Sequence, residues 1–167
     1  YQARRSNISF ETNRNAYMSK ATRSGGAINV NKVSAENILK GESTLNIGID
    51  NRNSSDDKLQ NALTIKHESN NSFDIKSSDS SGGILNISTN NSENKLNTKT
   101  ETNIEDAYIK SEGTVSYETI NNTIVKDTAS MAGGGVISIM STEVDNTYTS
   151  GAGINVKNST IEAEDIK

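Results

Sequence analysis

Gly25-Gly26-Ala27-Ile28-Asn29-Val30-Asn31, followed by Ser34-Ala35-Glu36-Asn37-Ile38, has a second version near the other end of the chain. There Gly151-Ala152-Gly153-Ile154-Asn155-Val156-Lys157 is followed by Glu162-Ala163-Glu164-Asp165-Ile166. Each version is a small glycine-rich corner, an alternating strand, a polar turn and a second strand, and weaker versions begin at Gly82 and Gly133. A unit of this kind recurring along one chain is the mark of a repeat architecture.

Working outward, period-2 alternation recurs at Leu45-Asn46-Ile47-Gly48-Ile49, Leu63-Thr64-Ile65, Phe73-Asp74-Ile75, Leu85-Asn86-Ile87, Val115-Ser116-Tyr117 and Val136-Ile137-Ser138-Ile139. Each reads as a strand that buries its apolar face. Most strand starts fall roughly 20 residues apart, a spacing that suggests coils of that length. The one wide gap, between Leu85 and Val115, leaves room for a weaker coil near Leu96 or Ile104. The fold expected is all-β: a right-handed parallel β-helix (β-solenoid) with coils of about 20 residues. Roughly eight such coils at about 4.8 Å each would make a rod near 40 Å long. Hairpin architectures are disfavoured, because the chain has no Asn-Gly or Asp-Gly pair. The corners are assigned to Gly25, Gly26, Gly82, Gly83, Gly133, Gly134, Gly151 and Gly153, where positive φ angles are expected.

Composition fits a solenoid better than a thick globular core. Only 31% of the 167 residues are hydrophobic, with no Trp and two Phe, while 23 Asn, 23 Ser and 16 Thr supply short polar side chains. Such a composition with strong net charge would read as disorder. Net charge is only -4, however, and the aliphatic residues are mainly β-branched, 18 Ile and 7 Val against 6 Leu. Stacked Asn, Ser and Thr rows and continuous ladders are therefore expected to supply what aliphatic burial does not. Pro is absent, which suits ladders that need almost every N–H.

Two regions are distinguished: a basic N-terminal partial coil or loop over residues 1–24, and β-helix repeats over residues 25–167. The first holds Arg4, Arg5, Arg14, Lys20 and Arg23 against Glu11. Its charges are dispersed, so a solvated rim is expected and no nucleic-acid partner. The absence of a starting Met and of a signal peptide suggests a piece of something larger.

The stretch from Gly151 to Lys167 resembles the haemagglutinin-type repeats of the filamentous-haemagglutinin family, with Ser159, Ile161, Ala163, Asp165 and Ile166 matching. Ser34, Ala35, Asn37 and Ile38 match in part. The family also includes haemolysins, leukotoxins and contact-dependent inhibition proteins. The resemblance implies a large exoprotein of a two-partner secretion system, secreted or held at the surface of a Gram-negative bacterium, with an outer-membrane secretion partner. It implies an adhesin rod that meets host cell surface or extracellular matrix, protein or glycan; a leukotoxin or haemolysin segment is the alternative, and a carbohydrate-active β-helix the second. The motif describes a coil and not a site.

Catalytic chemistry is not expected. His67 is the only imidazole, so no zinc pair can form, and an exposed position at a strand end is expected for it. No Gly-x-Ser-x-Gly elbow accompanies it. Carboxylates pair at Asp56-Asp57, Glu105-Asp106 and Glu162/Glu164/Asp165, where alternation reads as solvation, and the aromatic platforms of glycan-cleaving solenoids are missing. No Ca²⁺ repeat, P-loop or Cys ligand occurs, so no metal or cofactor is expected. Asn-x-Ser/Thr sequons, among them Asn7, Asn53, Asn86 and Asn158, arise readily in such a composition. Unpaired ends of a cut solenoid would favour end-to-end self-association.

Overall fold

Alternating β-branched and short polar residues favour extended backbone and disfavour helix, and strands occupy almost all of the described chain. A computed structural model describes residues 6–49 and 62–167. Four long strands come first: β1 (Ser6–Gly25), β2 (Ile28–Ile47), β3 (Ala62–Gly82) and β4 (Leu85–Glu105). They are followed by β5 (Tyr108–Lys110), β6 (Thr114–Gly134), β7 (Ile137–Lys157), β8 (Thr160–Glu162) and β9 (Asp165–Ile166).

All pairing is parallel. The strands stack as β1-β3-β6-β9, β2-β4-β7 and β5-β8. The chain runs out along one sheet, turns, returns along the second and closes through a short third side, which makes it a parallel β-helix. The roughly 20-residue interval is the length of one strand. A full rung is longer: Leu63 lies beside Ser6 and Val115 beside Leu63, offsets of 57 and 52 residues. The described residues form three rungs, and β9 begins a fourth on β6. With 21-residue strands the body is a slab about 70 Å broad and about 14 Å deep along the stacking axis, in place of an eight-coil rod.

The corners explain why glycine recurs at the end of each outgoing strand. Gly26 N–H donates to Gly82 O at 3.2 Å and Gly83 N–H to Gly134 O at 3.0 Å, so successive corners are hydrogen-bonded. A Cβ on Gly83 would stand 2.2 Å from Gly26 O, and one on Gly135 would stand 2.1 Å from Gly83 O. Close approach, and not backbone sign, demands glycine, for no described glycine has positive φ. The positive φ angles fall instead at Asp106 and Asn158, both 49°, in the turns leading to β5 and β8. Asp and Asn tolerate that conformation best among non-glycine residues.

Of the residues assigned to corners, Gly25, Gly82 and Gly134 end long strands, and Gly26 and Gly83 form the bends. Gly133 lies one residue inside β6, while Gly151 and Gly153 lie inside β7, several residues before its turn at Asn158. The Gly151 unit thus matches the Gly25 unit in sequence but not in rung position; its true counterpart in the rung above begins at Lys99. Residues 6–25 are the first long strand of the first rung, paired throughout with β3, so the division at Gly25 falls at a corner within one rung.

The interior has two parts. At the closed end Ile47, Leu63, Ile65, Ile104, Ala107, Ile109 and Val115 form an apolar cluster. Towards the Gly corners the inward positions of β3 and β4 become polar, including Ser77, Asp79, Ser81, Asn86, Ser88, Asn90 and Asn94, with Phe73, Ile75 and Leu96 between. Here the expected face is reversed. At Ile28-Asn29-Val30 the asparagine is buried and the aliphatic pair is 73% and 74% exposed, and Asn86 is buried between Leu85 and Ile87. An alternating pattern fixes two faces without saying which is inside; the inward Asn rows decide it by bonding rung to rung.

Those rows are ladders. Asn37 donates to Asn94 at 2.7 Å and Asn94 to Asn146 at 2.8 Å inside the slab, and Asn29 donates to Asn86 at 2.8 Å. Outside, Asn122 donates to Asn70 and Asn70 to Asn13, while Asn155 donates to Asn103 and Asn103 to Asn46. Every buried amide that bonds its neighbour avoids the desolvation cost of an unpaired group, about 1–3 kcal/mol.

Candidate functional site

His67, the sixth residue of β3, points inward and is 2% exposed, in contrast to the exposed position expected for it. Its parity with Leu63 and Ile65 puts it on the buried face. Nε2 lies 2.8 Å from Ser43 Oγ and Nδ1 lies 3.2 Å from Thr102 Oγ1. Ser43 Oγ is 3.1 Å from Thr12 Oγ1, and Thr102 Oγ1 is 2.7 Å from Thr119 Oγ1, so a hydroxyl and imidazole chain crosses all three rungs. Burial holds the imidazole pKa below its ordinary value. A Ser–His contact is present, yet the second ring nitrogen meets a threonine where a triad would place a carboxylate, and the serine is itself buried. The group links rungs.

Asp79 is the buried acid that the sequence reading did not single out. Thr22 Oγ1 donates to Oδ1 at 2.8 Å, Asn31 Nδ2 to the same oxygen at 3.0 Å, and Ser88 Oγ to Oδ2. Four strands, β1 to β4, therefore converge on one carboxylate. The signal was its phase: Ser77, Asp79 and Ser81 continue the inward positions begun by Leu63.

The carboxylates noted in the sequence do not gather. Glu162 accepts from Tyr108 Oη at 2.7 Å and lies 3.6 Å from Lys110 Nζ, with the tyrosine bond holding its pKa down. Asp165 pairs with Lys167 at 3.2 Å, and Asp106 occupies a turn. Asp56, Asp57, Arg4 and Arg5 lie outside the described residues. Among those described, no group of three or more His, Cys, Asp or Glu could hold a metal ion. The Asn86 sequon cannot carry a sugar in the folded slab, since its side chain is fully buried.

The outer face of β1-β3-β6 carries an ordered polar surface. The Asn13, Asn70 and Asn122 ladder borders a shallow cavity of about 200 Å³, with Asn15, Ser72 and Ile124 at its wall. Beside it Glu11 accepts from Asn13 and Asn70, and Glu68 accepts from Asn122 at 2.9 Å. Lys66 Nζ lies 2.9 Å from Glu68, and their hydrogen bond lowers the carboxyl pKa and raises that of the amine. Amides and carboxylates fixed at a one-rung spacing can hydrogen-bond a hydroxyl-rich or peptide ligand.

Comparison with protein-family models, with curated proteins and with solved structures returns no match.

Proposed function

We propose that the chain is a β-solenoid segment of a large secreted bacterial surface protein and acts as an adhesin scaffold. The observation that carries this reading is the separation of labour across each sheet. Inward residues lock rung to rung through ladders, whereas outward columns such as Asn15/Ser72/Ile124 and Tyr17/Asp74/Lys126 change side-chain type from rung to rung. A solenoid built this way holds a broad, rigid surface whose contacts are set by outward side chains alone. The resemblance of residues 151–167 to haemagglutinin-type repeats supports the same reading. The partner is a host surface or matrix component, engaged at the Asn-lined cavity.

Binding of the purified chain to immobilised matrix proteins, to a glycan panel and to cultured host cells tests this. Retention by at least one, reduced several-fold by Asn70→Ala with Asn122→Ala, is expected; no retention on any would overturn the adhesin role.

We also propose end-to-end stacking. The β1/β2 end and the β7 end lack a further long strand among the described residues, and such edges pair with other chains. Mass that rises with concentration is expected; particles of one mass at every concentration would overturn it.

A further inference from the structure

The outward face of β2-β4-β7 beside the Gly corners is apolar. Two columns run along the stacking axis, Ile28, Leu85 and Ile137 in one and Val30, Ile87 and Ile139 in the next. At the bend, Ile84 is 64% and Val136 83% exposed. Converted to area, the exposed aliphatic residues of the two columns present roughly 500 Å² and the bend roughly 200 Å² more, above the 300–600 Å² of the largest patch on an ordinary monomer.

We propose that this face is a lateral interface with a second copy of the chain, the two slabs packed sheet on sheet. Three observations select that occupant. The area is sufficient: a contact of this face with its own copy removes at most roughly 1,000–1,400 Å² in total, which reaches the size of a specific interface. The chemistry is self-complementary, because β-branched side chains at a one-rung spacing of about 4.8 Å can interdigitate with an identical set, and neither column holds a charge. The rim disfavours a lipid surface: the next column, Lys32, Thr89 and Ser141, has a single cation, and the chain carries -4 without Trp. This contact is lateral, and so differs from stacking of open ends.

The test uses the absence of native cysteine. Ile87 is central in the grid, so Ile87→Cys is expected to give disulfide-linked dimers on mild oxidation, while Asn97→Cys, outward on the same strand, does not. The triple variant Val30→Lys, Ile87→Lys, Ile139→Lys is expected to sediment at half the mass of the unaltered chain with the same far-UV spectrum. The proposal is overturned if the unaltered chain sediments as a monomer at tens of micromolar protein, or if the lysine variant keeps its mass. It is equally overturned if Ile87→Cys crosslinks no faster than Asn97→Cys, or if the unaltered chain stays monomeric and binds neutral or anionic vesicles.

Discussion

The carbonyl oxygen of Gly26 occupies the space that a β-carbon on Gly83 would need, 2.2 Å away. Both groups are backbone, so neither can rotate aside. Gly83→Ala is expected to destabilise by about 3 kcal/mol through overpacking, whereas Gly151→Ala, with nothing within 4 Å of the new carbon, is expected to stay within about 0.5 kcal/mol. Urea midpoints of the two variants check this.

Asn94 joins three rungs, receiving from Asn37 and donating to Asn146 at 2.8 Å and to Asp127 Oδ2 at 2.6 Å. Asn94→Leu keeps the branched shape and takes the amide away from three polar partners. A loss of about 3 kcal/mol is expected, against less than about 0.5 kcal/mol for Asn155→Ala on the exposed outer ladder. Thermal denaturation of both variants separates inner from outer rows.

Burial lowers the pKa of His67 in the folded chain relative to the ordinary 6.5. Its stabilising contribution is therefore intact above about pH 6.5, declines below that as the unfolded chain binds the proton first, and is lost once pH falls through the folded value. His67→Gln is expected to flatten the stability difference between pH 7 and pH 5, measured by urea denaturation at each pH.

Tyr117 faces inward at the apolar end, and burial raises its pKa to about 12. Its hydroxyl has no described partner. Tyr117→Phe is expected to leave stability unchanged or raise it by up to about 1 kcal/mol. In a 295 nm titration the variant is expected to lose the late ionising step near pH 12; the unaltered chain loses stability as pH rises from 10 towards that value, since the unfolded tyrosine ionises first.

The all-β class and the parallel β-helix were legible in the alternation, the Asn, Ser and Thr excess and the glycine bends. The rung length was not, because the middles of the 21-residue strands are polar. Apolar runs mark both ends of a strand, so Ile28 and Leu45, which belong to one strand, read as two coils. The missing signal lay in the polar residues themselves: Asn37, Asn94 and Asn146 share the offsets of 57 and 52, as do Asn13, Asn70 and Asn122. Hydrophobicity does not mark the inside at Ile28 and Val30, because amide ladders take the interior there. The shared carboxylate of Asp79 draws its partners from three other strands, and only its inward phase is visible in the local sequence.

The two offsets carry a consequence for how such a chain can grow. The first rung-to-rung step is five residues longer than the second, yet β1 to β6 and β2 to β7 keep a single phase, because the extra residues fall between Ile47 and Leu63. The five-residue difference therefore leaves the register of the long strands unchanged. A single residue inserted in β4 would turn every later side chain of that strand inside out and break two Asn rows at once. Tandem duplication of a whole rung preserves every row, so this slab can lengthen by copying rungs and diversify by changing only what faces outward.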